Sequence, residues 1–132
     1  MNRRIADSVI SVTTSMDISL FRSWLDFTAP LHNLTNKERA VMAAYLKEHF
    51  DLSKVITNDA ILAQVLSSTT TKQKIMSACH LTSNNLQVTL HKFKEHNLMI
   101  DGRINPKLIP PITQEIEDSG ELRLMIRFSI EK

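Results

Sequence analysis

The chain has 132 residues, of which 42% are hydrophobic and 23% are charged. These values are ordinary for a globular protein, so the composition does not predict an intrinsically disordered chain. Its single cysteine, Cys79, cannot form an internal disulfide, and no apolar run approaches the length of about 18 residues that predicts a membrane span. The formal net charge of +2 is too small to indicate nucleic-acid binding by itself. We therefore expect one folded domain over 1–132 that makes no membrane contact and lies in the cytoplasm or, alternatively, in a virion.

Residues 1–30 predict a strand and a helix that extend the main domain. Residues 4–14 alternate partly and are rich in Val, Ile, Ser and Thr, which is typical of a strand. Asp17 is a suitable N-cap for a helix over 18–28, whose apolar residues cover more than one face. Such a wide apolar surface has to pack against the rest of the domain or against a partner, and the sequence leaves both alternatives open.

The next segment contains a strong sequence signal for the start of a helix. Thr35 and Glu38 have the spacing of a capping box, in which each side chain accepts a hydrogen bond from the backbone N–H of the other residue. The helix over 36–50 is nearly apolar all round at its centre, which predicts a buried position. A shorter helix over 58–67 comes next, capped by Asn58 or by the residue before it, and a polar run of serines and threonines ends it.

The stretch 69–109 predicts two helices joined by a tight turn and followed by a hairpin. Thr82 follows the first helix and is placed to cap the second one. The second helix has one buried face, because its apolar residues recur at intervals of four and three: Leu86, Leu90 and Phe93. Asn97 occupies the position of a left-handed C-cap. Asp101 and Gly102 supply the positive φ angles of a type I′ turn, so they predict a short hairpin.

The last segment, 111–132, predicts an acidic loop and then a strand. Prolines interrupt regular pairing after the hairpin, and acidic residues follow them. From Leu122 to Glu131 apolar and polar residues alternate strictly, which is the cleanest strand pattern in the chain. A strand needs a partner, and the N-terminal strand is the obvious candidate, in the same chain or in a second copy.

The pattern after the tight turn resembles the second half of a winged helix-turn-helix domain. The resemblance is carried by a capped helix with regularly spaced apolar residues and an apolar entry into the hairpin: Leu81, Thr82, Leu86, Leu90, Phe93, Asn97, Leu98, Met99 and Ile100. It closely covers 69–109, and it extends over more than half of the chain when the helix over 36–50 is added. The resemblance implies a mainly α fold with a small β component (α+β), with a winged helix-turn-helix core over 34–110 and added N- and C-terminal strands. The helix over 58–67 is an addition to that pattern.

Positive charge is concentrated in the same part of the chain. Residues 69–110 hold six basic and two acidic side chains, a net charge of +4. Residues 1–68 balance at zero, with seven of each sign, and residues 111–132 have a net charge of −2 from three basic and five acidic side chains. A surface that faces phosphates needs positive charge there, although a chance grouping of lysines on solvated faces remains an alternative.

The resemblance implies that the helix over 83–96 would lie in the major groove of DNA, with a dimer reading two half-sites. Polar side chains on its outer face would reach base edges: Asn84, Asn85, Gln87 and His91. Four lysines would neutralise phosphates: Lys72, Lys74, Lys92 and Lys94. Arg103 at the tip of the hairpin would touch the DNA backbone or the minor groove, and Thr82, Ser83 and Lys107 complete the predicted DNA-binding residues.

Motifs of catalytic, metal or cofactor sites are missing from the sequence. With only two glycines the chain has no phosphate-binding glycine loop, and it contains no Cys-x-x-Cys, His-Glu-x-x-His or Gly-x-Ser-x-Gly motif. The five histidines are scattered and have no spacing that predicts a zinc site. We therefore expect no enzyme activity, no cofactor and no bound metal.

Two functions from different classes remain. The first is a non-catalytic DNA-binding protein, a transcriptional regulator or a DNA-packaging factor, with double-stranded DNA and further copies of the chain as partners. The second is a bacteriophage-type virion or assembly structural protein, which would use the winged helix to pack against its own copies or other assembly proteins. The terminal strands and the wide apolar face of the helix over 18–28 favour the second function, and the positive motif favours the first.

Overall fold

The computed structural model describes residues 11–124 and 127–131. Most of them are helical, and a two-stranded antiparallel sheet completes an α+β arrangement. The elements follow in this order: α1 (Ile18–Phe27), α2 (Ala29–His32), α3 (Asn36–Ser53), α4 (Asp59–Leu66), α5 (Thr69–Cys79), α6 (Ser83–Glu95), β1 (Met99–Ile100), β2 (Arg103–Ile104), a 3-10 turn (Pro106–Leu108) and α7 (Gln114–Ser119). The mainly α prediction with a small β component is therefore confirmed.

Side-chain caps set the starts of the helices, as the sequence predicts. Asp17 Oδ1 accepts a hydrogen bond of 2.7 Å from the Ser19 amide at the start of α1. Both bonds of the predicted capping box are present before α3: Thr35 Oγ1 accepts from the Glu38 amide, and Glu38 Oε1 accepts from the Thr35 amide. Side-chain oxygens likewise cap α4, α5 and α6: Asn58, Ser68 and Thr82.

Residues in the left-handed region produce the turns after α5 and α6. His80 ends α5 with a φ of 55°, and Asn97 follows α6 with a φ of 61°. The predicted hairpin turn is confirmed, because Asp101 and Gly102 have φ angles of 50° and 81°. The strands on either side are only two residues long, and Met99 pairs with Ile104.

Helix α3 lies at the centre of the core. Six consecutive residues of α3 are buried: Val41, Met42, Ala43, Ala44, Tyr45 and Leu46. Around it pack apolar side chains from α1, α4, α5, α6 and the hairpin: Phe21, Leu25, Leu62, Leu66, Ile75, Leu86, Phe93, Met99 and Ile104. The burial of a helix that is apolar around its whole circumference matches the sequence prediction and requires neighbours on every side.

The wide apolar surface of α1 is divided between the core and solvent. Phe21 and Leu25 are buried, and the Trp24 indole N–H donates a hydrogen bond of 2.8 Å to the carbonyl of Leu108. Ile18 and Phe27 remain 38% and 48% exposed. Packing against the rest of the domain therefore accounts for one face of α1, and its outer face stays accessible.

The short helix α2 begins directly after Thr28, the C-cap of α1. Pro30 lies in the first turn of α2, where its missing N–H is no loss. This turn places the His32 ring in the core, where Nδ1 accepts from the Leu34 amide at 3.0 Å. The other ring nitrogen, Nε2, then donates to the Leu25 carbonyl at 2.8 Å. His32 therefore links α1 to the segment just before α3 through both ring nitrogens.

The predicted terminal strands are wrong for the described residues. Residues 121–124 and 127–131 adopt no regular secondary structure, and neither do residues 11–14. The remainder of the predicted N-terminal strand, 4–10, and residues 125–126 lie outside the described residues. Alternation alone does not form a strand, because backbone hydrogen bonds to a neighbouring strand are required and the two-residue strands of the hairpin offer little edge.

Half-buried His49, near the end of α3, gives a testable dependence of stability on pH. Burial lowers its pKa, and the nearby carboxylate of Asp59 only partly opposes this. The unfolded chain, in which histidine titrates near about 6.5, then takes up the proton more readily. The contribution of His49 to the free energy of unfolding is therefore fully present above about pH 6.5. It is lost as the pH falls through the lower pKa of the folded state. We expect His49→Gln to flatten the fall in urea midpoint between about pH 7 and 5; an unchanged slope would contradict this.

Candidate nucleic-acid interface

Helix α6 turns an apolar face to the core and a polar face to solvent. Leu86 and Phe93 are buried, whereas Asn84, Gln87 and His91 are exposed. Val88, on the same outer face, is 69% exposed and adds an apolar patch among the polar side chains. The outer face of α6 therefore has the mixed character of a surface that can meet base edges, where amides form hydrogen bonds and an apolar side chain can contact a thymine methyl group.

An open cleft of about 250 Å³ runs beside α6, between α5 and the hairpin turn. We call it the α6 cleft. Four of the predicted site residues line it: Lys72, Gln87, His91 and Lys94. The other lining residues come from α3, the end of α4, α6 and the hairpin: Tyr45, Ser67, Leu90, Met99, Asp101 and Gly102. The fold thus brings together predicted residues that are up to 22 positions apart along the chain, from Lys72 to Lys94.

The hydroxyl and amide side chains before and at the start of α6 lie outside the α6 cleft. Thr82 Oγ1 accepts a hydrogen bond of 3.2 Å from the Asn85 amide, so capping accounts for its presence. Ser83, Asn84 and Asn85 are exposed in the first turn of the helix. Their exposure keeps them available to a partner, and none of them is among the residues that line the α6 cleft.

Two of the predicted phosphate-contacting lysines pair with carboxylates of α3. Lys92 Nζ lies 2.7 Å from Glu38 Oε2, and Lys74 Nζ lies 3.8 Å from Glu48 Oε2. Burial alone would raise the pKa of Glu38, but hydrogen bonds from Lys92 and Thr35 outweigh burial and hold that pKa below its usual value. The charge of Lys92 is therefore already offset, and its contact joins α6 to the start of α3.

A carboxylate also lies beside the predicted base-contacting histidine. His91 Nε2 is 2.5 Å from Glu95 Oε1, one helical turn further along α6. Both side chains are largely exposed, at 72% and 59%. The outer face of α6 thus carries a negative charge, and the fixed positive charge of the α6 cleft comes from Lys72 and Lys94.

The hairpin turn is held close to α4. A Cβ atom built on Gly102 would lie 2.1 Å from the Ala63 carbonyl oxygen, which is far inside any allowed contact. Arg103 and Lys107 are exposed on β2 and on the following 3-10 turn. The added helix α4 therefore supports the turn that positions these two basic side chains. Sequence reasoning explained Gly102 by its turn alone and missed this close approach.

Tyr45 is a member of the α6 cleft that sequence reasoning assigned only to the core. Its side chain is 1% exposed, yet it borders the cleft. Burial, with a smaller contribution from Cys79, raises the pKa of Tyr45 to about 12, and the phenol stays neutral.

Other site chemistry is limited in the described ranges. No three His, Cys, Asp or Glu side chains come together there in a way that could hold a metal ion. Burial raises the pKa of the half-buried Cys79 thiol, so the reactive thiolate form is disfavoured. Among helices α1 to α7, none combines the length and hydropathy needed to cross a membrane.

Comparisons of the chain with protein-family models, with curated proteins and with solved structures found no match. The function is therefore argued from the residues of this chain and from the geometry of the α6 cleft.

Proposed function

We propose that the chain is a non-catalytic DNA-binding protein with a winged helix-turn-helix core, acting as a transcriptional regulator or a DNA-packaging factor. The observation that carries this proposal is the α6 cleft, in which Lys72 and Lys94 come from different helices and lie beside Gln87 and His91. Lysines neutralise phosphates, and a glutamine amide can form two hydrogen bonds with adenine. One surface thus provides both kinds of contact that a DNA reader needs.

The order of the elements supports the winged helix-turn-helix interpretation. Helix α3 is buried, α5 and α6 are joined by a tight turn at 80–82, and the hairpin follows α6 directly. In such a domain the second helix of the turn motif enters the major groove and the hairpin lies over the adjacent backbone. Here α6 would be that helix, and the exposed Arg103 and Lys107 would face phosphates from the hairpin side.

The first test is the salt dependence of binding to random duplex DNA, measured by fluorescence anisotropy. We expect affinity to fall by about a thousandfold or more between about 50 and 200 mM salt, because bound counterions are released from the phosphates. Lys94→Ala should reduce the log–log slope by about one unit, since one phosphate contact is lost. The urea midpoint of this variant should stay close to that of the unmodified protein, because the Lys94 side chain is exposed.

Lys92→Ala is the matched control, since it removes the same charge from the same helix two positions away. Lys92 is paired with Glu38 and lies outside the α6 cleft, so its removal should change the slope less than the removal of Lys94. Equal effects of the two variants would contradict the assignment of the cleft as the contact surface. Absence of DNA binding at about 50 mM salt would contradict the DNA-binding function itself.

A second candidate function is favoured by the exposed apolar side chains near the C-terminal end of the described chain. Leu124, Phe128 and Ile130 are 45%, 86% and 83% exposed. Large apolar side chains that a chain leaves exposed provide surface that a partner protein can cover. A virion or assembly structural protein built from copies of the chain would cover them. Light scattering tests this second function. It would be supported by a large defined oligomer that Phe128→Ser dissociates, provided that the protein does not bind DNA.

A further inference from the structure

We propose that the outer face of α6 selects A·T base pairs, with the Gln87 amide bound to the adenine edge and Val88 against the thymine methyl group. The proposal rests on the proposed DNA-binding function and deepens it, because it names the class of duplex that this surface prefers. The five side chains at the centre of this face, which we call the α6 ridge, are Asn84, Gln87, Val88, His91 and Glu95.

The spacing of the α6 ridge places its members on one side of the helix. Counted from Asn84, the other members follow after 3, 4, 7 and 11 residues, which is the repeat of one helix face. All five are exposed, whereas Leu86 and Phe93 project from the opposite side into the core. The ridge is therefore the part of α6 that can enter the major groove, which is wide enough to admit a helix.

The α6 ridge carries amide groups and no guanidinium or ammonium group. Guanine is most often bound by arginine or lysine at its O6 and N7 atoms, whereas a glutamine or asparagine amide matches the donor and the acceptor of adenine. The lysines of α6 lie at the two edges of the ridge, where Lys92 pairs with Glu38 and Lys94 lines the α6 cleft. An amide on the ridge therefore matches adenine better than guanine.

Val88 supplies the second contact. It follows Gln87 directly, and its apolar side chain is 69% exposed. Thymine is the base that presents a methyl group in the major groove, next to the adenine N6 and N7 atoms of the same pair. Contact between Val88 and this methyl group removes apolar surface from water. A G·C pair presents the cytosine N4 amino group instead, and valine offers it no acceptor.

Glu95 is the member of the α6 ridge that would favour the other base pair, since a carboxylate can accept a hydrogen bond from cytosine N4. Its Oε1 atom lies 2.5 Å from His91 Nε2, so the carboxylate is already engaged. Glu95 is also the last residue of α6, about 10 Å further along the helix axis than Val88. Phosphates repel a carboxylate, so the uncharged half of the ridge with Asn84, Gln87 and Val88 is the half that enters the groove.

Fluorescence anisotropy with three duplexes of equal length tests the selectivity. One duplex has A·T pairs in mixed order, the second has G·C pairs, and the third has inosine·cytosine pairs. We expect the A·T duplex to bind about tenfold more tightly than the G·C duplex at the same salt concentration. Inosine lacks the N2 amino group of guanine, so its pairs present the major groove of G·C and the minor groove of A·T. We therefore expect the inosine duplex to bind like the G·C duplex.

Two changes in the DNA, each matched to one variant, assign the contacts. Replacing thymine by uracil removes the methyl group and should weaken binding of the unmodified protein by about fourfold, but that of Val88→Ala much less. Replacing adenine by 7-deazaadenine removes the N7 acceptor and should weaken binding of the unmodified protein, but not that of Gln87→Ala. Lys94→Ala is the control, because loss of a phosphate contact should lower the affinity for all duplexes by a similar factor.

The outcomes separate this proposal from the proposed function. Salt-dependent binding that is equal for the A·T and G·C duplexes would overturn the selectivity and leave DNA binding standing. An A·T preference that the inosine duplex shares, or that persists in both Gln87→Ala and Val88→Ala, would show that the α6 ridge is not the reader and would also overturn the proposal. Failure to bind any of the three duplexes at about 50 mM salt would overturn the DNA-binding function, and the selectivity with it.

Discussion

Replacing Gly102 by alanine is expected to destabilise the protein by about 2 to 5 kcal/mol. Two effects add. The φ angle of +81° is unfavourable for any residue with a Cβ atom, and that atom would lie 2.1 Å from the Ala63 carbonyl oxygen. The obstacle is backbone rather than a flexible side chain, so the hairpin turn and α4 would have to move apart. Urea denaturation of the variant and the unmodified protein measures the difference.

Gly120→Ala is the matched control. Gly120 has a φ of +73°, but a Cβ atom there would meet nothing within 4 Å. We therefore expect only the cost of the left-handed backbone, about 1 to 2 kcal/mol. Equal losses for the two variants would show that the contact with Ala63 does not restrain the hairpin. If the contact does restrain it, Gly102→Ala should also weaken DNA binding in conditions where the protein stays folded, since the turn borders the α6 cleft.

Replacing Phe93 by alanine is expected to cost about 3 to 5 kcal/mol of stability. Phe93 is fully buried, at 0% exposure, and is the aromatic side chain by which α6 enters the core. Its removal leaves a cavity that the surrounding helices fill only partly, so both the transfer free energy and the packing contacts are lost. Because small domains have only about 5 to 15 kcal/mol of stability, thermal unfolding should shift to a much lower temperature.

Val88→Ala tests the same helix on its outer face. Val88 is 69% exposed, so we expect a change of less than about 0.5 kcal/mol. A loss comparable to that of Phe93→Ala would mean that the outer face of α6 is covered, for example by a second copy of the chain. Comparison of the two variants thus reports which face of α6 is packed and which is accessible to a partner.

Prediction from the sequence was most accurate where neighbouring residues determine the structure. The cap and capping box at Thr35 and Glu38, and the left-handed turn at Asp101 and Gly102, depend on residues at most three positions apart. Their hydrogen bonds and φ angles follow from the side chains themselves. The buried face of α6 was also predicted correctly, because the spacing of its apolar residues is a local property of the helix.

Prediction failed or fell short where distant parts of the chain meet. The alternation from Leu122 to Glu131 is a local pattern, but a strand also needs a partner at hydrogen-bonding distance, and the described residues supply none. The pairing of Lys92 with Glu38, which is 54 residues earlier in the chain, was not predicted from the sequence. Such pairings depend on how helices pack and leave no signal in local spacing.

The sequence by itself determined helices α1, α3, α4, α5 and α6, the hairpin and the concentration of positive charge in 69–110, because each depends on residue type and short-range spacing. It did not predict the short helices α2 and α7. Only the tertiary structure decided which of those charges share a surface. It brings Lys72 and Lys94 to one cleft, pairs Lys92 with Glu38, and places the core residue Tyr45 at the border of the same cleft. The physical reason is that burial and ion pairing are set by the packing of α3, α5 and α6 against one another, which involves contacts between residues far apart in the chain.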